Sequence, residues 1–125
     1  MDRRSIGAAA EQAVADWLAE RGFVVLDRNV RLQRGELDVV ATRGGILWFI
    51  ESKCRTRDDV GPPHRAVDRR KCQALYAAAR EYRHLRRHRG TYGFLVASVV
   101  WASGSPQPII TVARLPMQSP GERRA

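Results

Sequence analysis

A chain of 125 residues, 44% of them hydrophobic, suits one domain with its own core and is too apolar for a disordered polymer. No run approaches the roughly 20 apolar residues of a membrane span, and the N-terminus lacks a secretory signal core, so we expect a cytoplasmic protein without membrane contact. A formal net charge of +9, from 22 Lys and Arg against 13 Asp and Glu, is typical of polyanion binders, although arginine-rich usage in GC-rich genomes is an alternative cause.

The chain begins with a predicted helix over residues 5–21, because Ala10, Val14 and Leu18 recur at helical spacing. The segments that follow predict, in chain order, a strand (23–32), two strands joined by Gly44-Gly45 (36–42 and 46–53), a loop (56–63), a long helix (64–88) and two strands (91–101 and 109–115).

The predicted element order is α-β-β-β-α-β-β, an α/β domain with a mixed central sheet flanked by helices. Residues 1–115 are predicted to form this single domain, and residues 116–125 a disordered tail. The two cysteines, Cys54 and Cys72, form no disulfide framework and are expected to be reduced thiols.

The hairpin over residues 36–53 places ionisable side chains within apolar strands. A two-residue turn at Gly44-Gly45 pairs residues symmetrically about it, so Asp38 faces Glu51 and Glu36 faces Lys53. Alternation then puts these four side chains on one face of the sheet.

The same alternation predicts the apolar neighbours of these charges. Val40 pairs with Phe49 on the charged face, whereas Leu37 and Val39 share the other face. Because both faces are apolar toward the turn, the hairpin is predicted to be central and covered on both sides.

Two opposed carboxylates in a partly dry place repel each other. Either one takes up a proton, or Asp38 and Glu51 share a divalent cation, for which oxygen ligands with open water positions suit Mg²⁺ or Mn²⁺. Lys53 could orient an attacking water or neutralise charge on a phosphate. Beside a basic surface, this set predicts metal-assisted phosphodiester hydrolysis. The alternative is an exposed sheet end with a Glu36–Lys53 ion pair.

Asp38, followed thirteen residues later by Glu51-Ser52-Lys53, resembles the PD-(D/E)xK nuclease motif, which many restriction enzymes and archaeal Holliday junction resolvases carry. A closer resemblance is to the small bacterial YraN-like family of predicted endonucleases. Three blocks in order carry it: NVRLQRGELDVVA (29–41), FIESKCR (49–55) and VGPPHRAVDRRK (60–71).

The resemblance implies a restriction-endonuclease-like fold and a Mg²⁺-dependent DNA endonuclease, with branched or structured DNA among its candidate substrates. Asp38 and Glu51 would be metal ligands and Lys53 the catalytic lysine. Glu11 matches a first-helix glutamate that approaches the metal, and Lys71 matches a phosphate contact. From the residues alone, Glu11 and Lys71 could equally be solvated helix side chains.

Further candidates surround this set. Glu36 could be an outer-shell ligand, and Arg31, Arg34 and Arg55 flank the site as predicted phosphate contacts. The arginine-rich run 77–90 could contact DNA or simply suit a helix C-terminus.

One departure from the family pattern keeps a second function open. Gly93-Phe94-Leu95 stands where Arg-Phe-Asp is more usual, so an acid that could support the site is missing. The alternative is a non-catalytic nucleic-acid-binding protein on a nuclease-like scaffold. Resolvase-like chemistry would also call for a symmetric homodimer.

Overall fold

The fold was analysed in a computed structural model that describes residues 3–55, 61–102 and 104–117. Its elements are α1 (Arg3–Glu20), β1 (Val24–Leu32), β2 (Gly35–Arg43), β3 (Ile46–Arg55), a 3₁₀ turn (Pro63–Ala66), α2 (Arg69–Leu85), β4 (Tyr92–Trp101) and β5 (Pro108–Leu115). The predicted order of elements is therefore confirmed. Most of the predicted loop at 56–63 and of the tail at 116–125 lies outside the described residues.

The five strands form one mixed sheet in chain order. Three neighbouring pairs of strands are antiparallel, whereas β3 and β4 are parallel. The chain segment that connects β3 to β4 contains α2. Gly44 and Gly45 have φ angles of 59° and 79°, as a tight hairpin turn requires. The predicted pairing of Val40 with Phe49 is confirmed.

Each face of the sheet carries one helix and its own core. Ala10, Val14 and Leu18 of α1 are buried against one face, together with Val39 and Ile50. The other face packs against α2 through an aromatic-rich cluster of Phe49, Phe94, Tyr76 and Tyr82. The hairpin is therefore central and covered on both sides, as predicted. No helix in the described ranges is long and apolar enough to cross a membrane.

The second helix begins later than the sequence predicted. It starts at Arg69, because the Asp68 carboxylate accepts a hydrogen bond from the Lys71 backbone N–H at 2.9 Å and caps the first turn. The preceding Pro63–Ala66 segment is a separate 3₁₀ turn. The helix also ends at Leu85 instead of His88. Lys71 therefore lies in the first turn of α2.

The predicted alternation of faces fails at one point of β2. Leu37 is buried with Val40 on the α2 side, whereas Val39 is buried on the α1 side. The flanking pairs of the β1–β2 ladder bracket Asp38 and Asn29, and Asn29 has a left-handed φ of 52°. The sequence-based assignment of Leu37 to the face of Val39 was wrong, because the regular alternation of β2 is interrupted at Asp38, opposite this irregular position of β1.

Candidate active site

A pocket of about 340 Å³ opens where the second half of β3 meets the N-terminal half of α1 and the first turn of α2. Its lining comes from α1, β2, β3 and α2: Gly7, Ala10, Glu11, Asp38, Glu51, Ser52, Lys53, Cys54 and Lys71. Five residues singled out in the sequence, far apart along the chain, thus meet in one cavity.

Asp38 lies where the pairing between β2 and β3 ends, at the pocket. The regular β2–β3 ladder extends from the turn to the pair Val39–Ile50. Beyond it, the Ser52 backbone N–H donates to Asp38 Oδ2 at 2.8 Å. A side-chain acceptor therefore replaces the next backbone partner, and the strands separate where Glu51 enters the cavity.

The carboxyl groups of Asp38 and Glu51 are close enough to interact directly. Burial, a hydrogen bond with Asp38 and the Asp38 charge, in that order, raise the pKa of Glu51 from 4.5 to about 8. Lys71 and Lys53 lower it only in part. In the absence of a bound cation, Glu51 is therefore protonated at pH 7, which agrees with the proton uptake expected for opposed acids.

Two ammonium groups border this acid pair. Lys71 Nζ lies 3.7 Å from Glu51 Oε2, and the Lys71 side chain is 55% exposed against 12% for Glu51. Lys53 is half-buried and lines the same pocket from β3. Both lysines can therefore meet an anionic group that enters from solvent.

Asn29 is a site residue for which the sequence reasoning gave no role. Its side chain donates from Nδ2 to Glu11 Oε2 at 3.4 Å, a long hydrogen bond across from α1. Asparagine tolerates the left-handed region better than most residues, and that preference was the available signal. Asn29 thus lies opposite Asp38 on the neighbouring strand and also contacts Glu11 of α1.

The donor set of the pocket fits a hard divalent cation. Mg²⁺ is commonly held by one or two carboxylates, with water and phosphate oxygens completing its shell. Asp38 and Glu51 supply two such carboxylates, and Glu11 lines the same cavity. Within the described residues no group of three or more acidic, histidine or cysteine side chains is arranged to hold a metal. Two carboxylates could hold Mg²⁺ or Mn²⁺ if water and phosphate oxygens supplied the remaining ligands, so the expected cation stays a prediction.

The other predicted site residues lie outside the lining of this pocket. Arg31 and Arg34 are exposed, on β1 and in the following turn. Arg55 donates from Nη1 to the Gly61 carbonyl at 2.9 Å. Glu36 is exposed, and in the described ranges no ion pair joins it to Lys53. Among the predicted phosphate contacts, the structure brings Lys71 to the cavity.

The departure at Gly93 and Leu95 lies in the core instead. Gly93 pairs with Trp48, whose ring covers it so closely that an added Cβ would be 2.6 Å from Cζ3. Leu95 is buried beside Ile50 on the α1 side. The usual arginine and acid are therefore replaced by apolar packing, and Leu95 is not part of the pocket lining.

A family model described as uncharacterised protein family UPF0102 matches residues 10–99. A UPF0102 protein of Anaeromyxobacter dehalogenans is 42% identical over 80 residues, which are 64% of this chain and 60% of that protein. A UPF0102 protein of Dictyoglomus thermophilum is 40% identical over 82 residues, 66% of this chain and 70% of that protein. A UPF0102 protein of Methylococcus capsulatus is 35% identical over 101 residues, 81% of this chain and 82% of that protein.

The family-model match contains most of the pocket lining. The range 10–99 includes its charged lining residues, which are Glu11, Asp38, Glu51, Lys53 and Lys71. The chain spans less than two thirds of the length of the Anaeromyxobacter relative.

Proposed function

The chain belongs to the uncharacterised protein family UPF0102, and from this premise and the chemistry of the pocket we propose that it is a metal-dependent DNA endonuclease. One observation carries the proposal: two interacting carboxyl groups, Asp38 and Glu51, lie in an open cavity with Lys53 and Lys71. A buried acid whose pKa is raised by desolvation and by a second carboxyl group, in a cleft, is a candidate functional residue.

In the proposed site, Asp38 and Glu51 hold Mg²⁺ or Mn²⁺. The bound cation would act as a Lewis acid toward a phosphate oxygen. The Ser52 backbone N–H fixes one oxygen of Asp38, which orients the carboxylate before any ligand arrives. Glu51 must give up its proton to bind the cation, since a ligating carboxylate is ionised.

The lysines have separate roles in the proposal. Lys53, on the strand that carries Glu51, orients the attacking water and stabilises charge on the phosphate as it reacts. Lys71, whose Nζ lies 3.7 Å from Glu51 Oε2 and whose side chain is 55% exposed, would pair with a substrate phosphate that enters from solvent. The net charge of +9 supports a polyanionic substrate, and DNA is the proposed one.

The experiment that tests this function is cleavage of labelled duplex, flap, single-stranded and four-way-junction DNA with Mg²⁺, Mn²⁺ or EDTA. Metal-dependent cutting by the wild type that Lys53→Ala loses would support the proposal. Arg114→Ala is the control, because it removes one exposed positive charge outside the pocket. Cutting that persists in EDTA, or survives Lys53→Ala, would contradict the proposed roles.

The second candidate function is nucleic-acid binding without cleavage. The observation that favours it is the small number of acids that interact in the pocket. Among the acids of the described lining, only Asp38 and Glu51 interact directly through their carboxyl groups, whereas Glu11 is hydrogen-bonded to Asn29. Under this alternative, DNA binds tightly and with a steep salt dependence, Mg²⁺ does not alter the affinity, and none of the four DNA forms is cut.

A further inference from the structure

A dense positive charge lies at the far end of α2 from the pocket. A recess of about 550 Å³, called here the arginine recess, is lined in the described part of the chain by Arg80, Arg83, His84, Arg87, His88 and Arg89. We propose that the arginine recess is a second phosphate-binding surface, which holds the backbone of the same DNA at a distance from the pocket. The choice of DNA as its ligand rests on the proposed function.

Two of the arginines at this end of α2 are already engaged within the protein. Arg86 lies 3.2 Å from Asp27 Oδ2, so its charge is compensated. Arg83 donates from Nε to His88 Nδ1 at 3.0 Å and lies over the Tyr92 ring. These contacts fix the shape of the recess.

Three exposed arginines remain to face a ligand. Arg80, Arg87 and Arg89 are exposed, and no salt bridge to any of them is found among the described residues. Guanidinium groups form forked hydrogen bonds with phosphate oxygens, which suits them to a nucleic-acid backbone.

Neither of the nearby acids, Glu81 and Asp27, forms an ion pair with these three arginines. Glu81, the acidic residue of α2, accepts backbone hydrogen bonds from Gln33 at 3.1 Å and Arg34 at 2.9 Å. Asp27 accepts from the Tyr82 hydroxyl at 2.6 Å as well as pairing with Arg86. The described lining of the recess contains four arginines and no acid, so its charge is positive.

The backbone of Arg87 is a second, independent sign that its side chain is used. Arg87 follows the helix end with a left-handed φ of 54°, and the His88 N–H donates to the Arg83 carbonyl at 2.8 Å. This arrangement of helix C-termini normally has glycine at the left-handed position, since other residues are strained there. We take an arginine at this strained position as a sign that its guanidinium group has a binding role.

The distance between the two surfaces sets the size of DNA that can reach both. From Lys71 to Leu85, α2 rises about 21 Å, which is the length of about six base pairs of B-DNA. A duplex that occupies the pocket must therefore continue about that far to reach Arg87, at the far end of the arginine recess.

The test compares wild type, Arg87→Gly and Arg21→Ala by fluorescence anisotropy in EDTA, so that binding is measured without cleavage. The ligands are a duplex of about 24 base pairs and a hairpin of about five, too short to span both surfaces. Arg21→Ala removes an exposed arginine after α1, on the opposite side of the sheet.

On the long duplex, Arg87→Gly is expected to weaken binding about three- to tenfold and to reduce the salt slope by about one. On the hairpin, its affinity stays within about twofold of wild type. Its melting temperature is unchanged or higher, because glycine relieves the backbone strain. Arg21→Ala behaves like wild type on both ligands.

An unchanged affinity and salt slope for Arg87→Gly on the long duplex overturns the proposal and leaves the recess to another anionic partner. An equal loss on both ligands overturns it as well, because the contact is then not a distant one. If no DNA form is ever cut while the length-dependent loss appears, the proposed catalysis fails and the arginine recess stands.

Discussion

The first turn of α2 brings Lys71 Nζ to 3.7 Å from Glu51 Oε2, in a pocket where acidic and basic groups lie together and one acid is largely desolvated. The last turn of the same helix leads into the arginine recess, where the charges facing solvent have one sign. Mixed charges in a partly dry cavity shift each other's pKa, as chemistry requires. Exposed charges of one sign attract an anion without reacting with it. The two ends of α2 thus differ: the pocket is suited to a chemical reaction, and the arginine recess is suited to binding an anion.

Each end also includes one residue with an unusual backbone. Among the described residues, Asn29 and Arg87 are the ones other than glycine with a positive φ. Asparagine adopts this region at little cost, whereas arginine does so with strain. At the pocket the backbone angle itself is useful, because it accompanies the change of face beside Asp38. At the arginine recess, the backbone angle disfavours Arg87, so its contribution must come from the side chain.

The largest expected effect comes from substitutions that disable the pocket and leave the arginine recess unchanged. Asp38→Asn or Glu51→Gln removes a ligand of the proposed cation and should lower cleavage by about a thousandfold or more, since the cation supplies several kcal/mol. DNA affinity in EDTA should fall less than about twofold, because the arginine recess is intact. Rates and affinities are measured side by side.

Asp16→Asn is the control for these changes, because this exposed acid of α1 bonds to Gln12 and does not line the pocket. Cleavage near the wild-type rate by both pocket variants would show that the reactive end has been assigned to the wrong residues.

The second effect sharpens the comparison through pH. Folded Glu51 keeps its proton up to about pH 8, whereas in the unfolded chain it loses the proton near 4.5. Between these values the folded state binds the extra proton, so the free energy of unfolding should fall as pH rises, by at most about 1.4 kcal/mol per unit. Urea unfolding in EDTA at pH 5.5 and 7.5 measures this slope.

Glu51→Gln should lack this component, so the two proteins differ most at the higher pH, where the variant is relatively more stable. Adding Mg²⁺ to the wild type should stabilise it more at pH 8 than at pH 6, because cation binding displaces the Glu51 proton. Parallel pH profiles for wild type and Glu51→Gln would mean that the acid is not desolvated.

The smallest effect separates backbone from side chain at Asn29. Asn29→Gly keeps the left-handed angle available and loses the 3.4 Å hydrogen bond to Glu11, so it should cost less than about 1 kcal/mol. Asn29→Ala must also bear the strain of the angle and should cost about 1 kcal/mol more. Urea unfolding of both variants measures the difference. If the alanine and glycine variants are equally stable, the left-handed angle is not what Asn29 provides.

Much of the pocket could be predicted from the sequence, because short-range rules govern it. The Gly44-Gly45 turn fixes the register of β2 on β3 locally, and this brings Asp38 toward Glu51. The resemblance to the YraN-like family came from three blocks in order and is confirmed by the match to UPF0102. The predicted cation, the DNA substrate and the roles of the site residues stay predictions.

The rest depended on contacts between distant segments. The approach of Lys71 to Glu51 depends on the start of α2 at Arg69, directly after the Asp68 cap and five residues later than the predicted start at 64. Glu36 and Arg31 were assigned by regular alternation and by proximity along the chain, whereas the structure leaves both exposed outside the pocket. The separation of the arginine-rich run from the pocket is a consequence of helix length, and residue counting could have given it.

The close contact of Trp48 with Gly93 also limits how this sequence can change. A side chain at 93 has no room while the indole covers that position, so even Gly93→Ala must displace a ring in the core. Shortening Trp48 first would open the space and leave Gly93 free to vary. A larger residue at 93, arginine included, therefore requires a change at Trp48 on the neighbouring strand first.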